Sequence, residues 1–136
     1  MKNGIWRPAP PAETTVLVAL RQAVTVRLPT SYFDQLAVSN GGEGDLAEEP
    51  GWISFWPAEK VVELNAGYCV NEQLPGFFGF GSNGGGELLA FDIRGGEPFP
   101  IVAVPFIPMD PRESMQVATS FDELRNLIGK ELQNTT

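Results

Sequence analysis

GFFGFGSNGGGELLAFDI, residues 76–93, holds Gly79, Gly81 and Gly84 in the order G-x-G-x-x-G, and its reading decides the fold. A dinucleotide loop needs a strand before the glycines, a helix directly after them to meet the pyrophosphate, and an acidic residue about 20 positions on. Only the first condition is met. Gly84, Gly85 and Gly86 would make a poor first helical turn, at about 1 kcal/mol each relative to alanine. The next segment, ELLAFDI, is soon interrupted by Arg94-Gly95-Gly96. A Walker loop fails too, since no Lys-Ser or Lys-Thr comes after the glycines and the nearest upstream lysine is Lys60. Period-2 alternation instead places Phe78 and Phe80 on one side, with Leu89, Phe91 and Ile93 on one side of the returning strand. Ser82-Asn83-Gly84-Gly85 is the turn of a hairpin. Gly79 and Gly81 should then lie opposite the phenylalanines, beneath a helix or the N-terminal arm.

Outward from this hairpin, PIVAVPFI and MQVATS continue a meander of antiparallel strands, with Pro105 marking an end, edge or bulge. Ser120-Phe121-Asp122-Glu123 is a capping box opening a helix through Leu124, Leu127, Ile128 and Leu132, with fraying expected over 133–136. Upstream, WISFW (52–56) reads as a strand running into a helix whose first position is Pro57. Trp52, Phe55 and Trp56 are expected to help fill the core. Val61, Leu64 and Tyr68 share a face of that helix, and Cys69 beyond it reads as a small buried hydrophobe. TSYFDQLAVSNGG reads as a helix capped by Thr30 and stopped at Asn40-Gly41-Gly42, and ETTVLVALRQAV as a shorter amphipathic one. Residues 1–12, with Pro8, Pro10 and Pro11, form an extended arm tethered by Trp6, and 13–133 form one domain. The fold class is α+β, a mainly antiparallel sheet of about four to five strands with helices packed against it.

The 136 residues suffice for one core without a staple, and no internal repeat is visible. One cysteine excludes an internal disulfide, and no signal peptide or membrane span is evident, so the cytoplasm is the default. Nine basic against seventeen acidic side chains give a formal charge of -8, which disfavours nucleic acid as a direct ligand and suits a basic partner. With no histidine, Ser-His-Asp and Cys-His catalysis and the common zinc sites are excluded. Carboxylate pairs such as Glu59 with Glu63 read as solvated helix faces, leaving an enzyme using two carboxylates as a remote alternative. EGDLAEEPG (43–51) lacks the ligand spacing of a calcium loop and reads as a solvated acidic loop.

Four segments in order, Leu28-Pro29-Thr30-Ser31-Tyr32, Asn40-Gly41-Gly42-Glu43-Gly44, Pro75 to Glu87, and Ser120-Phe121-Asp122-Glu123-Leu124, with Trp52 between the second and third, resemble the SUKH superfamily. That superfamily includes the yeast cell-wall synthesis regulator and bacterial immunity proteins of polymorphic toxin systems. The resemblance implies helices packed on an antiparallel sheet, no catalytic residues and no cofactor. It also implies a protein partner: a basic toxin domain, such as a nuclease, for an immunity protein, or a regulatory partner for a scaffold module. In such a fold Leu28, Pro29, Tyr32, Asn40, Gly41, Gly42, Trp52, Gly79, Gly81, Gly84, Gly85, Phe91, Ser120 and Phe121 are structural. Charge and expected exposure mark Glu43, Asp45, Glu48, Glu49, Asn83 and Glu87 as the candidate partner contacts. Oligomeric state is left open.

Overall fold

A computed structural model describes residues 1–133. Seven antiparallel strands lie in strict chain order across one sheet: β1 (Trp6–Arg7), β2 (Glu43–Asp45), β3 (Trp52–Phe55), β4 (Phe77–Ser82), β5 (Glu87–Asp92), β6 (Ile101–Pro105) and β7 (Met115–Ala118). The count exceeds the four to five expected because β1 and β2 are two and three residues long, too short to carry a period. β2 lies in the stretch read as a solvated loop, and that reading is corrected: Glu43, Gly44 and Asp45 pair with Ser54, Ile53 and Trp52. On its other side β2 receives the N-terminal segment, Trp6 opposite Gly44 and Arg7 opposite Glu43.

Phe77 to Asp92 is a hairpin with Phe78 opposite Phe91, but its alternation is broken. Gly79 pairs with Ala90 and Gly81 with Leu89, leaving Phe80 in a bulge. Paired residues share a face and successive residues alternate, so Gly79 and Gly81 lie on opposite faces, not together as simple alternation predicts. Gly79 does lie beneath a helix: a Cβ there would stand 2.9 Å from Leu88 Cδ1 and 3.2 Å from Asn65 Oδ1. Gly81 is instead approached by the backbone of Ser54 and Phe55.

The helices are α1 (Thr14–Ala23), α2 (Thr30–Val38), α3 (Val61–Gly67), α4 (Val70–Gln73) and α5 (Phe121–Leu127). α2 begins without a side-chain cap, its N-cap being Pro29 rather than Thr30. α3 begins at Val61, four residues after Pro57, because residues 58–60 form a separate turn. α5 has the expected Ser120 cap, whose Oγ accepts the Glu123 N–H at 3.1 Å. Glu123 reaches back to the Thr119 hydroxyl at 2.7 Å rather than to Ser120. The helix stops at Leu127, short of Leu132, because Ile128 turns extended and bridges to Leu46. Cys69 is half-buried in the left-handed turn joining α3 to α4, with φ 57°, rather than a buried hydrophobe. Of the expected fraying over 133–136, residues 134–136 lie outside the described residues.

Tyr32 of α2 occupies the core on one face of the sheet. Its ring lies 5.3, 5.9, 5.4 and 5.4 Å from those of Phe33, Phe80, Phe91 and Phe121. Full burial raises its phenol above the ordinary tyrosine range, and its hydroxyl has no hydrogen-bond partner among the described residues. On the other face α3 and α4 cover β4. There the buried Asn65 amide donates to the Gly79 carbonyl and accepts its N–H, both at 2.8 Å, and also donates to the Val61 carbonyl.

Replacing Asn65 by alanine leaves the Gly79 N–H and C=O buried and unpaired. The expected loss is about 2–4 kcal/mol of unfolding free energy with an unchanged denaturant slope. Glu63→Ala, on an exposed site of the same helix, should stay within about 0.5 kcal/mol in the same urea titration.

Candidate protein-binding surface

Strand register places the candidate carboxylates. Glu43 and Asp45 alternate on β2 with Gly44 between them, so they share a face, and cross-strand pairing puts Ser54, Trp52 and Ser82 on that face too. The opposite face of β3 carries Ile53 and Phe55, both buried in the core. Trp52 is therefore half-exposed rather than the core filler expected of it. The parity of WISFW contains this signal, since Ile53 and Phe55 leave the other face to Trp52 and Ser54. Grouping the three aromatics together as core masks it.

Trp52 also joins two loops. Gly84, at φ 78°, presents its missing side chain toward the indole, which lies 3.0 Å from where a Cβ would stand. The β2–β3 connection and the β4–β5 turn are thereby brought to one end of the sheet. Glu48 and Glu49 crown the first and are exposed. Their loop is pinned from beneath: Leu46 and Ala47 are buried, the Ala47 N–H donates to Leu127 O at 3.0 Å, and the Gly51 N–H closes on Glu48 O at 2.8 Å. The two carboxylates are thus presented by an anchored turn.

The remaining candidates divide by what their side chains already do. Asn83 is committed to its own turn, its Oδ1 accepting the N–H groups of Gly85 at 2.9 Å and Glu87 at 3.0 Å while Nδ2 donates to Glu87 Oε1 at 3.3 Å. Asp45 is committed to the N-terminal segment, accepting the Ile5 N–H at 2.6 Å. That contact is not legible from sequence, because residues 5 and 45 meet only through the β1–β2 pairing. Glu43 faces Arg7 across the strands without an ion pair. Among the described residues the ion pairs join Lys2 to Glu131, Lys60 to Glu63, Arg94 to Asp92 and Arg112 to Asp110. Glu43, Glu48, Glu49 and Glu87 therefore carry charge that no described cation neutralises.

Asn40 has a structural task as well. Its Oδ1 accepts the Ala58 N–H and its Nδ2 donates to Glu59, both at 2.7 Å. That hydrogen bond, ahead of one from the Glu59 backbone, holds the Glu59 carboxyl below its ordinary range. Among the described residues no group of three or more acidic or thiol side chains is placed to hold a metal ion. No described helix is long and apolar enough to cross a membrane.

The chain belongs to the SMI1 / KNR4 family (SUKH-1), whose family model matches residues 11–126. A search of curated proteins found no match. The matched span takes in the half-exposed Trp52, the Glu48–Glu49 turn and the β4–β5 hairpin, while β1 precedes it.

If Asp45 holds the N-terminal segment, Asp45→Ala should speed amide exchange at Ile5 by about tenfold or more, the loss of one charge-assisted hydrogen bond. Asp45→Asn, which keeps an acceptor, should retain most of the protection. Glu48→Ala should leave it unchanged in the same NMR measurement.

Proposed function

We propose that this chain is a non-enzymatic protein-binding domain that serves as an immunity protein, using its acidic surface to meet and occlude a basic toxin domain such as a nuclease. The observation that carries the reading is the pair Glu48 and Glu49, exposed without an ion-pair partner among the described residues, on a turn anchored by Leu46 and Ala47 at the same end of the sheet as the half-exposed Trp52. Family membership supports it, since SUKH domains are in general immunity or regulatory folds rather than enzymes. The formal charge of -8 supports a basic partner over a nucleic acid.

Magnitudes set the physical division of labour. An exposed ion pair contributes about 0.2–1 kcal/mol, so rim carboxylates alone do not hold a tight complex. Charge of one sign raises the association rate by steering, within a screening length of about 8 Å at physiological salt. A toxin that binds phosphates through a basic face would meet the acidic turn with that face, and its substrate would be shut out by steric occupation.

Co-expression with a toxin-like reading frame encoded beside this gene should restore growth and yield a co-purifying complex; failure of both would sink the immunity reading. With that partner, the double substitution Glu48→Lys, Glu49→Lys should lower the association rate at low salt by about tenfold and flatten its salt dependence. Stopped-flow measurement of an unchanged rate would remove this turn from the interface.

A further inference from the structure

Rates steered by the acidic turn leave affinity to be supplied elsewhere, by an apolar anchor in a preformed pocket. The fold contains a preformed pocket of mixed apolar and polar lining at the opposite end of the sheet. It lies between the first turns of α2 and α5 and the β5–β6 connection, and has a volume of about 490 Å³, within the roughly 300–1,000 Å³ of ligand sites. Leu28, Phe99 and Phe121 line it and belong to the core, with exposures of 4%, 8% and 1%. The Phe121 ring packs 5.4 Å from that of Tyr32, so the floor is continuous with the core. Pro29 and Pro98 form further lining.

The polar groups around this floor are of two kinds. The Ser120 hydroxyl accepts the Glu123 N–H and keeps its own O–H as a donor. Glu97 and Asp122 are exposed at the rim, with Arg27 the one cation in the lining, and none of the three forms an ion pair among the described residues. An apolar floor, two rim carboxylates against one guanidinium, and a chain of charge -8 together select a ligand that is apolar at its centre and basic around it. We propose that this pocket takes a large apolar side chain, flanked by lysine or arginine, from the protein partner. The proposal rests on the reading that the chain binds a protein, and it locates an anchor that reading does not contain. The pocket lies at the start of α5 and the acidic turn is tied to its end through the Ala47 N–H on Leu127 O; α5 is seven residues long, about 10 Å at 1.5 Å per residue, so one interface of ordinary size can reach both.

The test needs no toxin, so its failure is distinguishable from failure of the immunity reading. The full chain, labelled with nitrogen-15, is titrated with three blocked hexapeptides: four lysines around a central Trp-Leu, the same with glutamates for lysines, and the same with Ser-Ser for Trp-Leu. The lysine–tryptophan peptide should shift the amides of residues 27–30, 97–99 and 120–122 saturably, and the other two should not. Glu97→Lys should weaken that binding by about fivefold. Thr30→Trp, an exposed substitution at the mouth, should abolish the pocket shifts while leaving the rest of the spectrum in place. The proposal is overturned by equal binding of the acidic peptide, by shifts confined to residues 48–49 and 83–87, or by no shifts with any peptide.

Discussion

The pairing of the Asn65 amide with the Gly79 peptide group governs how the two halves of this molecule meet. β3 accompanies β4 only to Phe55, where it lies opposite Gly81, and the Trp56 N–H then donates to Phe80 O at 3.0 Å. One step along β4 the partner strand has left, and the Gly79 donor and acceptor would be stranded in the interior. A carboxamide offers one acceptor and two donors in a plane, so Asn65 takes the place of the missing strand and spends its second donor on its own helix at Val61. A Cβ on Gly79 would meet Leu88 Cδ1 at 2.9 Å and Asn65 Oδ1 and Trp56 at 3.2 Å, so any side chain there makes these neighbours shift. The pair clamps α3 to the sheet, and the aromatic stack beyond it, Trp56 on Tyr68 at 5.9 Å and Tyr68 on Phe106 at 4.6 Å, depends on that placement.

The bulge at Phe80 belongs to the same constraint. By adding one residue to β4 it turns Gly79 toward α3 while Phe80 stays among the rings of Tyr32, Phe91 and Phe121. Without it, the glycine that accepts the helix and the glycine that accepts the β3 backbone would compete for one face. One irregularity therefore lets a single strand serve two covering layers.

The part of the chain marked by local signals is legible from sequence. ELLAFDI and PIVAVPFI are short apolar runs bounded by turn residues, MQVATS follows them as a further short strand, and the Ser120 to Glu123 box marks α5 through local chemistry. The illegible part depends on contacts between distant residues. β1 and β2 are too short to alternate, and their existence rests on Trp6 meeting Gly44 and packing edge-on against Phe55 at 6.2 Å. The end of α5 is set by the Leu46–Ile128 bridge rather than by a stop signal of its own. The division of the acidic stretch into a strand residue tied to the backbone, Asp45, and an exposed pair, Glu48 and Glu49, comes from the same long-range pairing. Composition alone gives those three carboxylates equal standing.

The N-terminal segment is held between β2 and the stretch after α5: the Gly4 N–H donates to Gly129 O, the Glu131 N–H to Lys2 O, and the Gly129 N–H to Asp45 O. Contacts so far apart in sequence carry a large loop-closure entropy and form late. Residues 5–7 take their strand partners from residues 43–45, whereas Lys2 and Gly4 are held by residues 129–131. The stretch before β1 and the stretch after α5 therefore close on each other, so opening either one exposes backbone groups that the other had satisfied.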